Sequence, residues 1–435
     1  MVSRGCLLKF MACGLLLSWT VPVRAGFDRS KFIIGTYCLR TNACTEAHIA
    51  DMKAAGIDFV WAKVDRTTLD LMDRHGIGCV MTGVIPDSVG GCHKGHVHEV
   101  SDLVRVDAMA DRFVDHPAIW GINVGDEPNA VDFPHIGKVV RRVQERLPGK
   151  FPSINLNPIY GTTVKQTDGD VLKSDFGTET YADYIREYVK HVPTDYISED
   201  HYPWGWRNKV SRMHENNRIL GDACLASGRD FWVVLQANAH TEKPYCRRSM
   251  TEGTMRFQAY SAMAYGAVEI SWACWCNGWW AENAIDTNGV KTATYHRIKN
   301  VNRQLRTIAK PYMMFRRVAT DLVGFKGDPQ VEGVNQVPVD ESQFGCFSGI
   351  RARDGLPLAV GKMVARDGSA RYGLFIAACD DPEDEHPRTR MITFNPNGRE
   401  VRAFGGEGGL SIIDCGDGLQ AVTIMSNEAV MLVSR

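Results

Sequence analysis

The chain has 435 residues, 44% of them hydrophobic and 23% charged, with a formal net charge of −1. That length suits a large domain joined to a smaller one, and the composition excludes a disordered or fibrous chain. No long basic run is present, so the positive face that a nucleic-acid partner requires is not expected.

The N-terminus reads as an export leader. Arg4 and Lys9 form a charged start, Met11 to Val21 an apolar stretch too short to span a bilayer, and Val23-Arg24-Ala25 a small-x-small cleavage site. Residues 1–25 are therefore expected to be a signal peptide, and the mature protein to be secreted or periplasmic. No later segment is apolar enough to cross a membrane. Removing Cys6 and Cys13 with the leader leaves 11 cysteines, an odd number, so complete internal pairing is excluded. Cys274 and Cys276 are two apart on an expected strand, and are read as packing residues.

From residue 31 onward, short apolar strands alternate with amphipathic helices. Strands are expected at 31–39, 57–64, 78–86, 119–124, 151–160, 195–201, 231–238 and 268–275. The intervening helices are expected at 45–55, 66–75, 101–114, 134–147, 179–191, 210–227, 251–265 and 292–310. Thr45 is read as an N-cap, and Gly56 and Gly76 as helix stops. Eight β/α units in a row predict a closed parallel (β/α)8 TIM barrel over residues 26–314. Near Pro311 the texture changes to short strands with turn signals such as Arg366-Asp367-Gly368 and Asn395-Pro396-Asn397-Gly398. Residues 315–435 are expected to form a small antiparallel β-sandwich.

Barrel function sits at the C-terminal ends of the strands. The fourth strand runs into Gly125-Asp126-Glu127-Pro128. Glycoside cleavage needs a carboxylic acid that protonates the leaving oxygen, and Glu127 is placed for that; Asp126 suits a sugar hydroxyl. Against this stands a plain alternative, in which Asp126 caps the next helix and Glu127 is a solvated first-turn acid. The sixth strand ends Ser198-Glu199-Asp200-His201-Tyr202. Neighbours on a strand face opposite ways, so one of Glu199 and Asp200 points inward, and residue counting leaves open which. Asp200 is chosen as the second carboxylate. The eighth strand holds Trp272, Trp275, Trp279 and Trp280, and indole rings offer flat apolar faces to sugars. Asn157, Glu199, His201, Tyr202, Gln236 and Asn238 complete the expected sugar contacts. Tyr37, Trp61 and Tyr160 lie at other strand ends. The loop Cys92 to Glu99 carries three histidines and a cysteine, but its spacing fits no standard zinc pattern. His48, His75 and His116 are read as structural.

Gly125-Asp126-Glu127-Pro128, Asn155-Leu156-Asn157-Pro158-Ile159-Tyr160, Asp200-His201-Tyr202-Pro203 and Met263 to Ala267, taken in order, resemble secreted bacterial members of the retaining (β/α)8 glycoside hydrolase superfamily that includes β-galactosidases and cellulases. The resemblance implies Glu127 as acid/base, Tyr202 as a partner of the nucleophile, and Trp272 or Trp275 as a stacking ring. It also implies a nucleophilic glutamate at the end of the seventh strand, where this chain has Gln236. An amide cannot form a glycosyl ester. Asp200 or Glu199 could then serve from the sixth strand, Glu242 from the seventh loop, or the barrel binds sugar without cleaving it. An inverting mechanism needs carboxylates about 6.5–9.5 Å apart, and the wider separation of the fourth and sixth strands leans toward it. The expected function is hydrolysis of an extracellular or periplasmic oligo- or polysaccharide without a cofactor; a glycan-binding protein on a degenerate barrel is the alternative. A metal-dependent hydrolase using the histidine loop is a third.

Overall fold

The computed structural model describes residues 27–39, 44–85, 101–113, 115–164, 174–204, 212–239, 250–276, 281–325, 346–380 and 387–434. The leader, the Cys92–Glu99 loop, Glu242, Trp279 and Trp280 lie outside these residues.

Eight parallel strands form the barrel: β1 (Ile33–Leu39), β2 (Phe59–Ala62), β3 (Gly78–Met81), β4 (Ile119–Asp126), β5 (Phe151–Asn155), β6 (Tyr196–His201), β7 (Asp230–Gln236) and β8 (Ala267–Ala273). Helices α1 (Glu46–Ala54), α2 (Arg66–His75), α3 (Ser101–Phe113), α4 (Phe133–Arg146), α5 (Tyr181–His191), α6 (Met213–Ser227), α7 (Glu252–Ala264) and α8 (Ala293–Tyr312) follow the strands in turn. The expected boundaries hold within a few residues; β3 and β5 are the main exceptions, ending at Met81 and Asn155 rather than Pro86 and Tyr160. Local chemistry explains the helix ends. The Thr45 side chain accepts the His48 N–H, Asp65 accepts the Thr68 N–H, and Gly76 closes α2 in a left-handed conformation at φ 63°. None of the described helices is long and apolar enough to cross a membrane.

Hydrogen-bonded neighbours run β5-β4-β3-β2-β1-β8-β7-β6. The ring closes between β5 and β6 by a narrow bridge. There the Leu156 N–H donates to Ser198 O at 2.8 Å and the Asp200 N–H to Leu156 O at 3.5 Å. Side chains reinforce this seam: Tyr196 Oη donates to Pro152 O, and Ser198 Oγ to Asn155 Oδ1 at 3.2 Å. The floor of the barrel is aromatic. Tyr196 stacks on Trp232 at 3.8 Å between ring centres, and Phe27, Phe59, Trp120 and Phe151 pack around them. A Cβ at Gly35 would lie 2.2 Å from Ser271 Oγ and 2.6 Å from the Phe59 ring, so only glycine allows this filling.

The remaining strands are β9 (Phe315–Val323), β10 (Ser348–Ala352), β11 (Leu358–Ala365), β12 (Tyr372–Ala378), β13 (Thr389–Asn395), β14 (Val401–Gly405), β15 (Gly408–Leu410), β16 (Ile413–Asp414), β17 (Gln420–Met425) and β18 (Ala429–Ser434). They form two antiparallel sheets, β10-β13-β17-β16 and β15-β14-β18-β12-β11-β9, around a core of Leu358, Ile376, Ile392, Val422 and Leu432. The larger sheet packs on α7 and α8, with Tyr312 and Tyr260 against Phe375 and a bidentate ion pair between Arg303 and Glu407. The fold is a TIM barrel followed by a β-sandwich.

One acid lies deep in the barrel. Glu269, on β8 beside Trp232 of β7, accepts a hydrogen bond from Ser271 Oγ, and burial pushes it up to about 8. A raised native pKa means that the stability it contributes is complete below the unfolded value of 4.5 and is lost as pH climbs through about 8. Glu269→Gln keeps an acceptor for Ser271 and removes the titration. The variant is expected to gain thermal stability over wild type at pH 8, with the gain shrinking toward pH 5, when followed by circular dichroism. A gain that does not change with pH would place the titration elsewhere.

Candidate active site

The acidic strand end is built by a bulge. Along β4 the register slips between Asn123 and Gly125, so that Asn123 pairs with Ser153 and Asp126 with Asn155. Ser153 faces the interior, since Trp61 Nε1 donates to its hydroxyl at 2.8 Å. Simple alternation from Asn123 would turn Gly125 inward; the extra residue turns Asp126 inward instead. The chain then bends sharply. Glu127 sits at φ 47°, a left-handed conformation that costs a non-glycine residue on the order of 1 kcal/mol. Both its backbone groups are anchored: its N–H donates to Asn155 O at 2.7 Å, and its carbonyl accepts from Asn157 Nδ2 at 3.0 Å. The plain alternative for these acids does not hold. Asn129 caps the short helical turn that follows, and α4 starts only at Phe133.

Strand parity on β6 is settled by Tyr196, which lies in the barrel floor. Ser198 and Asp200 share its side, and Glu199 turns outward, where its Oε1 accepts from Asn216 of α6 at 2.8 Å. Asn155 Nδ2 ties the inward pair together, donating to Asp200 Oδ1 at 2.9 Å and more weakly to Asp126 Oδ1 at 3.4 Å. Burial holds the Asp200 carboxyl well above the usual carboxylate range. The charges of Glu127, Asp126 and Glu199 raise it further, and the Asn155 hydrogen bond opposes them. Asp200 is only 4% exposed, whereas Asp126 and Glu127 are half-buried at the mouth. Three phenols surround it. Tyr37, Tyr160 and Tyr202 are all pushed well above the ordinary tyrosine range, first by burial and then by carboxylate charge, that of Asp200 in every case. Tyr160 Oη accepts the Tyr202 N–H at 3.1 Å.

A cavity of 960 Å³ opens beside this cluster, with Tyr37, Trp61, Asn123 and Asp126 on its inner wall. Tyr37 and Trp61 stack at 4.1 Å and 13°. The Tyr37 hydroxyl and Asn123 Oδ1 are buried and have no hydrogen-bond partner among the described residues. Polar atoms left open beside a cavity are points where a polyhydroxyl ligand can bond.

Several expected sugar contacts are corrected by burial and bonding. Trp272 is fully buried and its Nε1 donates to Asn302 of α8 at 2.7 Å; Trp275 is equally buried against Tyr295 of the same helix. Both pack against α8, Trp272 from β8 and Trp275 from the segment that follows it. Gln236 is engaged at both ends of its amide: Oε1 accepts the Trp204 N–H at 3.2 Å and Nε2 donates to Asn238 O at 3.0 Å. Asn238 Oδ1 in turn accepts the Cys274 N–H at 2.7 Å. Asn157 holds the Glu127 backbone, His201 is 1% exposed with its ring against Tyr160, and Glu199 belongs to the contact with α6. Cys274 and Cys276 are buried, as packing residues would be. His75 bonds Glu46, His116 bonds Asp70, and His48 meets Gly289 O.

Asn155 and Asn123 are the residues that sequence reasoning did not assign. Asn155 had a signal: counting inward steps Phe151, Ser153, Asn155 places it beside the acids. Asn123 had none, because the bulge is not visible in the residue pattern.

No family model matches the chain, and no curated protein matches its sequence. Solved structures do share its fold. The β-galactosidase from Bacillus circulans sp. alkalophilus superposes with a TM-score of 0.60 at 11% identity, covering 93% of this chain and 99% of that one. A catalytic mutant of a GH42 β-galactosidase from G. stearothermophilus gives a TM-score of 0.55 at 9% identity, covering 93% and 98%. Against the β-galactosidase from the psychrophilic Marinomonas ef1, at a TM-score of 0.44 and 11% identity, this chain covers 61% of that protein's length and 65% of its own.

Removal of the Gln236 amide leaves two buried backbone groups without partners, each worth about 1–3 kcal/mol. Gln236→Ala is expected to lower unfolding stability by about 2–4 kcal/mol in urea denaturation. A loss under about 0.5 kcal/mol, the range of an ordinary surface substitution, would mean that the brace is not needed.

Proposed function

We propose that the protein is a glycoside hydrolase acting on a glycan outside the cytoplasm, with Glu127 and Asp200 as its two working carboxyls. The observation that carries this reading is the placement of Asp200, 4% exposed in the barrel with burial raising its carboxyl, beside the half-buried Glu127 at the mouth. Acid/base cleavage of a glycosidic bond requires one carboxyl that gives a proton and one that acts ionised, and burying one member of a pair favours that division. The glycosidases that share the fold, and the leader read at residues 1–25, support the substrate class and the location.

In this reading the proton starts on Asp200, because burial raises that carboxyl's affinity for it. A sugar seated against the mouth covers Glu127 and strips its water, which raises its affinity for that proton. Transfer to Glu127 places the acid at the leaving oxygen and leaves Asp200 ionised as base or nucleophile. Asp126 and Tyr37 hold hydroxyls of the same sugar, and Tyr202 steadies the ionised Asp200.

The test is hydrolysis of a panel of glycans and aryl glycosides by wild type, Glu127→Gln and Asp200→Asn. On unactivated substrates both variants are expected to lose about 10²–10⁴-fold in kcat. On a 2,4-dinitrophenyl glycoside, whose leaving group needs no proton, Glu127→Gln is expected to retain most of its rate and Asp200→Asn is not. If Asp200→Asn is the variant spared, the roles are exchanged. Binding without cleavage across the panel would instead make the barrel a glycan-binding protein, the alternative that Gln236 in place of a nucleophile raises.

A further inference from the structure

The cavity beside the carboxylate cluster has an outer wall of different character. Arg105, Ala108, Met109 and Arg112 of α3 line it, at spacings of three, four and seven that place them on one helix face. The two arginines stand two turns apart, about 10.5 Å along the axis. Lys63, immediately after β2, lines the same space. All three cations are exposed.

Their partners differ. Arg105 Nη1 donates to Asp102, a buried acid that His135 also contacts, so its charge is partly answered. Arg112 lies over the Phe113 ring at 4.8 Å, and neither it nor Lys63 has a carboxylate partner among the described residues. Among the described residues, two acids line the cavity. Asp126 belongs to the catalytic cluster, and Asp65 is held by the Thr68 backbone and hydroxyl at 2.8 Å as the cap of α2. The outer wall is thus a cationic face across from Tyr37, Trp61 and Asn123.

We propose that this cavity is a subsite for an anionic saccharide, whose carboxylate or sulfate groups lie toward Lys63, Arg105 and Arg112. The proposal rests on the hydrolase reading only for where the glycan is cut, and not for the binding itself. Neutral glycans need aromatic faces and hydroxyl partners. Three cations along a saccharide-sized space give them only N–H donors to hydroxyls at a cost in desolvation, whereas an anionic chain also gains charge pairing from every one.

The experiment is calorimetric titration of the full-length Asp200→Asn protein with three oligosaccharides of one length: an oligogalacturonate, a sulfated galactan fragment and an uncharged galacto-oligosaccharide. One of the charged ligands is expected to bind at least about tenfold more tightly than the neutral one, and which does so names the anion. A Lys63→Met, Arg112→Met double variant, checked for an unchanged melting curve, is expected to bring charged and neutral ligands within about threefold. Raising salt from about 50 to about 300 mM is expected to weaken only the charged ligand. Equal or tighter binding of the neutral ligand, no binding of either anion, or a preference that survives the double variant would overturn the proposal. Anionic binding without turnover by wild type sinks the hydrolase reading alone; turnover of neutral glycans with no anionic preference sinks this one alone.

Discussion

The narrow bridge between β5 and β6 is the constraint on which both the barrel and its candidate site depend. Most neighbouring strands share a ladder of several backbone pairs, but this seam has Leu156 bonded to Ser198 and Asp200, plus side chains. Pro152 helps to explain why. It has no N–H to offer, so its carbonyl is met by a tyrosine hydroxyl rather than by a strand. Asn155 sits at the top of the seam and bonds Ser198 and Asp200 on one side and Asp126 on the other. The amide that helps close the ring also collects the acids.

That arrangement explains the electrostatics. Asp200 comes from β6, which is laddered to β7 but joined to β5 only by the narrow bridge and side chains, and it meets the acidic end of β4 across β5. Packing three carboxyls on adjoining strands under tyrosines and a tryptophan is unfavourable unless at least one stays neutral. The buried member is the one raised. Glu127 avoids the interior because the left-handed bend lifts it toward the mouth, held by Asn155 and Asn157. Closing the ring and setting protonation are one local problem with one local solution.

Much of this was legible in the residues. Strong alternation of strand and helix located all eight units, and the turn-rich tail announced the sandwich. Asp126 and Glu127 were visible because two acids after an apolar strand have no packing purpose. The choice between Glu199 and Asp200 was decidable from Tyr196, whose inward position sets the parity of β6, but that position needed the stacked Trp232 to be seen. Trp272 and Trp275 misled because an indole serves a sugar face and a helix contact equally well, and composition does not say which of the two it meets. The β4 bulge and the cationic face of α3 were illegible for a different reason. A bulge is a register event between chains, and α3 faces the cavity only because of how the elements around it are stacked.

The double anchoring of Gln236 has a consequence for how this barrel could change over generations. Glutamine and glutamate have neighbouring codons, so a retaining nucleophile looks one mutational step away. The step is blocked by geometry. A carboxylate there would set an oxygen against the Asn238 carbonyl, which now receives an N–H, and the repulsion would fall on the segment that also holds Cys274 through Asn238. A glutamate at this position would therefore require the segment from Gln236 to Asn238 to be rebuilt first.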